Sequence, residues 1–89
     1  MPHSIEWTAP AARELRKLDR PVQRRIAMAV TALGSDPRPA GSKAMVGHPA
    51  GVMRIRVSDY RVVYQIEDDR VLVTVVRVAP RREVYRNLG

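Results

Sequence analysis

The stretch MRIRVSDYRVVYQI, residues 53–66, admits few structures. Apolar and polar residues alternate on both sides of Ser58-Asp59, the pattern of two half-buried strands around a two-residue turn. That turn sets a register: Val57 faces Tyr60, Arg56 faces Arg61, Ile55 faces Val62, Arg54 faces Val63 and Met53 faces Tyr64. Strand positions two apart share a face. Met53, Ile55, Val57, Tyr60, Val62 and Tyr64 therefore make a core face, while Arg54, Arg56 and Arg61 gather on the other with Val63 and Gln65. Arg56 directly opposite Arg61 is a destabilising pair. A surface shaped by solubility alone would alternate signs. The arginine face reads either as a solvated basic surface or as an anion site, and the like-charge pair favours the anion site.

The rest of the chain has to cover that core face. HSIEW (3–7) alternates and reads as a short first strand. Residues 8–18 read as a helix, with Thr8 as cap, Pro10 in the first turn and Ala11, Leu15 and Leu18 on one stripe. Residues 19–34 read as a second helix, with Val22, Ile26, Ala29, Val30 and Leu33 at helical spacing and Gly34 as the stop. The short connection makes the two an antiparallel hairpin. SDPRPAGSKAMVGHPAG (35–51) reads as a loop. Strands follow at 52–57, 60–67 and 70–78, the last two joined at Asp68-Asp69. In that second hairpin Ile66 would face Val71, Tyr64 Val73 and Val62 Val75, and the opposite face would gain Leu72, Thr74 and Val76 beside Val63. Two helices cover one sheet face, so this apolar strip calls for the tail or a partner to cover it. The expected fold is α+β, a helical hairpin on a small, mainly antiparallel sheet, in one domain over 1–89.

A domain of this size holds one modest core, so a functional site is a groove or open face, not a deep pocket. Cysteine is absent, which removes disulfides, thiolate chemistry and thiolate metal ligands and suits a reducing cytoplasm. No apolar run suggests a signal peptide or a membrane span. The two histidines, His3 and His48, are far apart and read as solvated, and no metal-ligand set, nucleophile elbow or phosphate-binding glycine loop is present. The balance of 16 basic against 9 acidic residues leaves a formal charge of +7. Only Lys17 and Lys43 among the basic residues are lysine. Arginine makes planar, bidentate contacts to phosphate, so the charge points to nucleic acid, an anionic surface or an acidic protein.

The tail PRREVYR adds Arg81, Arg82, Tyr85 and Arg86 just past the last strand. Tyr85 has two readings on residue chemistry alone. It can stack on a base or move a proton beside positive charge, or its ring can pack over the apolar strip.

YRVVYQIEDDRVLVTVVRVAPRREVY resembles the second half of toxins of the RelE/ParE superfamily, the RelE branch best, and the resemblance extends over nearly the whole chain. It implies a microbial-ribonuclease-like α+β fold and a toxin of a type II toxin–antitoxin module. RelE toxins cut mRNA in the ribosomal A site. The RNA's own 2′-hydroxyl attacks the adjacent phosphate, without metal or cofactor, leaving a 2′,3′-cyclic phosphate and a 5′-hydroxyl. The resemblance carries catalytic roles to Arg54, Arg56, Arg61, Arg81 and Tyr85. Arg82, Arg86 and Lys43 would hold the RNA. The implied partners are the ribosome and its mRNA and an acidic antitoxin that wraps the toxin. That antitoxin would lie over the half-apolar face or the helical hairpin, and operator DNA would be met only through the complex.

Two departures bear on mechanism. Arg54 and Arg56 stand where the branch commonly has lysines, and arginine, protonated at all working pH, is a poor general base. Proton abstraction then passes to Tyr85 or to ribosomal RNA. The tail is also two residues shorter before its tyrosine than some family patterns, so Arg81 and Arg82 can exchange roles. A gyrase poison of the ParE kind and a non-catalytic RNA binder are the alternatives on the same fold.

Overall fold

The computed structural model describes residues 2–80. In chain order the elements are β1 (Ser4–Trp7), α1 (Ala9–Arg16), α2 (Arg20–Leu33), β2 (Lys43–Ala44), β3 (Val52–Val57), β4 (Tyr60–Glu67), a single 3-10 turn (Asp68–Arg70) and β5 (Leu72–Pro80). The strands form one five-stranded sheet in the order β1-β5-β4-β3-β2, with β1 parallel to β5 and every other pair antiparallel. The expected α+β architecture holds. The two-residue β2 lies inside the segment read from sequence as loop, pairing Lys43 with Arg54 and Ala44 with Met53.

Both helices pack on one face of the sheet. Ala11 of α1 and Ile26, Val30 and Leu33 of α2 are buried against Ile55, Val62, Tyr64, Ile66, Val73, Val75 and Val78. The α2 residues recur at helical spacing, so one stripe of the helix faces the sheet. Thr8 caps α1, its hydroxyl oxygen accepting from the Ala11 N–H at 3.2 Å. Gln23 of α2 closes the other end of α1 by donating its side-chain amide to the Leu18 carbonyl at 2.6 Å and the Arg16 carbonyl at 3.3 Å. Gly34 ends α2 in right-handed backbone, so any benefit of glycine there has another source. The His3 N–H donates to its carbonyl at 2.6 Å, and a Cβ on Gly34 would stand 3.0 Å from the His3 oxygen. The start of β1 is held against the end of α2 through that gap.

The β3–β4 register is the expected one, from Val57 opposite Tyr60 to Met53 opposite Tyr64. The β4–β5 register is not. Ile66 faces Val73, Tyr64 faces Val75 and Val62 faces Val78. Two causes act. The connection is longer than Asp68-Asp69: the 3-10 turn closes through the Val71 N–H to the Asp68 carbonyl at 3.1 Å, and β5 begins at Leu72. A bulge then follows. Val63 faces Arg77 while Tyr64 faces Val75, which leaves Val76 as an extra residue on β5. Beyond the bulge Val78 points into the core, and Arg77 and Ala79 turn to the other face. The apolar strip expected there is accordingly not open. Val63 is 4% exposed, packed with Met45, Ala79 and Val52, and Leu72 is 7% exposed. A docking surface for an antitoxin helix on Val63, Leu72, Thr74 and Val76 is not supported by this arrangement.

β1 pairs with β5 only as far as Val75, after which the chain turns into α1. The helix completes the edge that β1 abandons. The Thr8 N–H donates to the Val75 carbonyl at 3.0 Å and the Thr8 hydroxyl to the Val76 carbonyl at 3.2 Å. The Val78 N–H donates to Glu14 Oε1 at 2.8 Å. Backbone groups that a bulge removes from the ladder are thereby satisfied by side chains.

The loop before β2 is tied down at the other end of the sheet. Arg38 meets Asp68 through both carboxylate oxygens at 3.4 and 2.9 Å, and His3 Nε2 lies 3.0 Å from Asp68 Oδ1. His3 is thus bonded, not solvated as its isolation in sequence suggested. The buried Tyr64 donates its hydroxyl to the Pro37 carbonyl at 2.7 Å. Burial raises the Tyr64 phenol, which keeps it a donor.

Val71 has φ +50°, left-handed backbone that a β-branched residue adopts under strain. Val71→Asn should raise stability by about 1 kcal/mol, measured by urea denaturation. The Arg38 hydrogen bond, then that of His3, holds the Asp68 carboxyl below its ordinary value of 3.8. A lowered folded pKa stabilises above the unfolded value and is lost as pH falls through the folded one. Asp68→Asn should therefore be less stable than the parent at neutral pH, with the gap closing below pH 3.8.

Candidate nucleic-acid interface

The face opposite the helices carries the site, and strand register places its members. Lys43 of β2 faces Arg54 of β3, Arg54 faces Val63 of β4, and Val63 faces Arg77 of β5. These make one row across four strands. A second row, nearer the Ser58-Asp59 turn, runs Arg56, Arg61, Ala79. Gln65 lies on the same face, opposite Val52. Neighbouring strands are about 4.8 Å apart, so the first row spans on the order of 15 Å. None of these register positions is Asp or Glu.

Of the site residues expected from the sequence, the structure brings together Arg54, Arg56, Arg61 and Lys43. Arg61 is 8% exposed and is the one buried charged residue among the described residues. A charged side chain this far from water is weakly screened, which strengthens its electrostatic interactions. Arg56 is exposed, and its Nε donates to the Ser58 carbonyl at 3.2 Å, so the side chain leans toward the turn. Arg25 of α2 reaches the Ser58 hydroxyl at 3.3 Å and adds charge at that end. Arg81, Arg82, Tyr85 and Arg86 lie outside the described residues. The described end of β5 puts Ala79 opposite Arg61 and Pro80 opposite Tyr60, at the end of the sheet where the second arginine row sits.

Sequence reasoning missed Arg77. Strict alternation from the Asp68-Asp69 turn assigns it to the core face opposite Tyr60. The signal was available: an arginine between Val76 and Val78 on a core face is a buried charge, and a bulge after Val75-Val76 removes the conflict. Arg77 Nη2 lies 3.0 Å from Glu14 Oε2, and each side chain is 26% exposed.

Four strands thus present permanent positive charge in two rows. Such a surface binds phosphates and stabilises charge that develops on them. Its arginines supply no general base, since arginine does not deprotonate.

Arg56→Glu separates binding from stability. It replaces a repulsive cross-strand pair by an attractive one and should stabilise the fold by about 0.2–1 kcal/mol in urea titrations. The same substitution should weaken association with single-stranded RNA.

The chain is similar to known proteins over nearly its whole length. The family model for the ParE toxin of the type II toxin–antitoxin system parDE matches residues 5–85. Toxin RelG of Mycobacterium tuberculosis is 32% identical over 87 residues, covering 97% of this chain and 99% of the relative. The mRNA interferase toxin RelE of Escherichia coli K12 is 30% identical over 87 residues, covering 96% and 92%. Among solved structures, the M. tuberculosis toxin–antitoxin complex RelBE2 superposes with a TM-score of 0.79 at 27% identity, covering 91% of this chain and 100% of that one. A free E. coli RelE carrying two arginine-to-alanine substitutions gives a TM-score of 0.80 at 28% identity, covering 97% and 93%.

Proposed function

The chain belongs to the RelE/ParE superfamily, toxins of type II toxin–antitoxin systems, and from this we propose that it is a ribosome-dependent endoribonuclease that cuts mRNA in the A site. The observation that carries the reading is the double row of basic residues on one sheet face, with an arginine pair directly opposite each other at Arg56 and Arg61. Guanidinium groups gathered on one face suit the planar, bidentate binding of phosphate. The mRNA interferase name of the RelE relative supports the same chemistry.

The reaction is a transesterification. The 2′-oxygen of a ribose bonds to the adjacent phosphorus and the bond to the 5′-oxygen breaks. A proton leaves the 2′-hydroxyl and one reaches the departing oxygen. Arg54, Arg56 and Arg61 hold the non-bridging oxygens and stabilise the extra negative charge of the phosphorane. Arg81 serves the leaving oxygen, and Tyr85 or ribosomal RNA takes the 2′ proton. Lys43, Arg82 and Arg86 hold flanking phosphates. An acidic antitoxin opposes this surface by charge; the structural relatives include complexes with an antitoxin.

The family model's ParE description favours a second reading, a poison of DNA gyrase. Primer extension on a defined mRNA in programmed ribosomes separates the two. Expected are cuts confined to the A-site codon, absent from naked mRNA, lost with Arg81→Ala and strongly reduced with Tyr85→Phe. No cuts from folded protein, together with trapped gyrase–DNA cleavage complexes, would sink the nuclease reading.

A further inference from the structure

We propose that Arg77 is a further phosphate-binding residue of the RNA face and that Glu14 of α1 is its positioning residue, an inference that rests on the nuclease reading above. The bulge at Val76 turns Arg77 out of the core and onto the row of Lys43, Arg54 and Val63. Val63 separates Arg54 from Arg77, one strand on each side, which puts the two guanidinium-bearing positions about 10 Å apart across the sheet. Phosphates of a single strand laid across the sheet can then be met on both flanks of Val63. Without Arg77 the first row would stop at β3.

Glu14 sets where Arg77 points. Its Oε2 engages Arg77 Nη2 at 3.0 Å while its Oε1 accepts the Val78 N–H at 2.8 Å. One carboxylate therefore anchors both the backbone beyond the bulge and the side chain the bulge delivers. A guanidinium offers five donors in a rigid fork, so an arginine held by a carboxylate can also serve a phosphate. The Arg77 side chain is 26% exposed, within reach from solvent. Glu14 in turn is held by its place on α1, where Thr8 caps the helix and grips the Val76 carbonyl. Positioning of Arg77 is thus written into the contact between α1 and the bulge, remote from the Arg54–Arg61 hairpin.

The test is the salt dependence of binding to a short fluorescein-labelled oligouridylate, followed by anisotropy with the full-length chain. Each lost phosphate contact on a single strand lowers the slope of log K against log salt by about 0.7. Arg77→Gln should lower the slope by that amount, as Arg54→Gln does. Arg77→Met, which also removes the charge, provides the same reading should the glutamine variant fail to fold. Glu14→Gln should lower the slope in the parent and change nothing in the Arg77→Gln background, which a simple loss of negative charge would not do. An unchanged slope for folded Arg77→Gln beside a reduced one for Arg54→Gln overturns the assignment of Arg77 and leaves the nuclease reading standing. An unchanged slope for Glu14→Gln overturns its positioning role. Absence of salt-dependent binding in the parent overturns both the assignment and the RNA face.

Discussion

The bulge at Val76, gripped by the first helix, governs what each side of β5 presents. Before it, Val73 and Val75 complete the core under the helices; after it, Val78 takes over and Arg77 and Ala79 turn outward. A bulge leaves backbone groups out of the ladder, and a sheet tolerates it only if something else bonds them. Thr8 and Glu14 do this from α1, taking the Val76 carbonyl and the Val78 N–H. The same threonine caps the helix, so helix start, sheet edge and bulge share one residue. β1 can stop at Trp7 because the helix that follows continues its bonding.

The two faces of the sheet obey different rules. The helical face is packed for stability, with Tyr64 fully buried and its hydroxyl bonded to the loop that crosses it. The other face sets like charges opposite each other and buries one of them, Arg61. Local conflicts of this kind mark sites where function overrides packing. The arginines cluster toward the Ser58-Asp59 end, and the Asp68 clasp with Arg38 and His3 secures the opposite end. The basic face and the ion pairs that secure the loop are thereby separated along the strands.

Much of this was legible in the amino-acid order. The MRIRV and YRVVYQI alternation, with a two-residue turn, defined the β3–β4 register residue by residue and so gathered Arg54, Arg56 and Arg61 before any fold was known. The helical stripes of Ala11, Leu15, Ile26, Val30 and Leu33 were equally plain. Both signals are local: strand and helix periods relate residues a few positions apart, where backbone geometry alone dictates the face. Family resemblance then attached a chemistry to the arginines that periodicity cannot supply.

The β4–β5 register, the position of Arg77 and the fate of the Val63 strip were decided by tertiary structure. Alternation predicts a face only while the ladder is unbroken, and one extra residue at Val76 reverses every assignment downstream. The reason that residue is tolerated lies over sixty positions away in sequence, in Thr8 and Glu14. Similarly, what favours glycine at Gly34 is the close approach of His3 and not its own backbone angle. The sequence by itself determined the two helices, the β3–β4 hairpin and which side of that hairpin is charged. Only the packing of α1 against the open edge of β5 decided how far that charge extends. Hydrogen-bond satisfaction at a bulge depends on groups that folding, not chain order, makes neighbours.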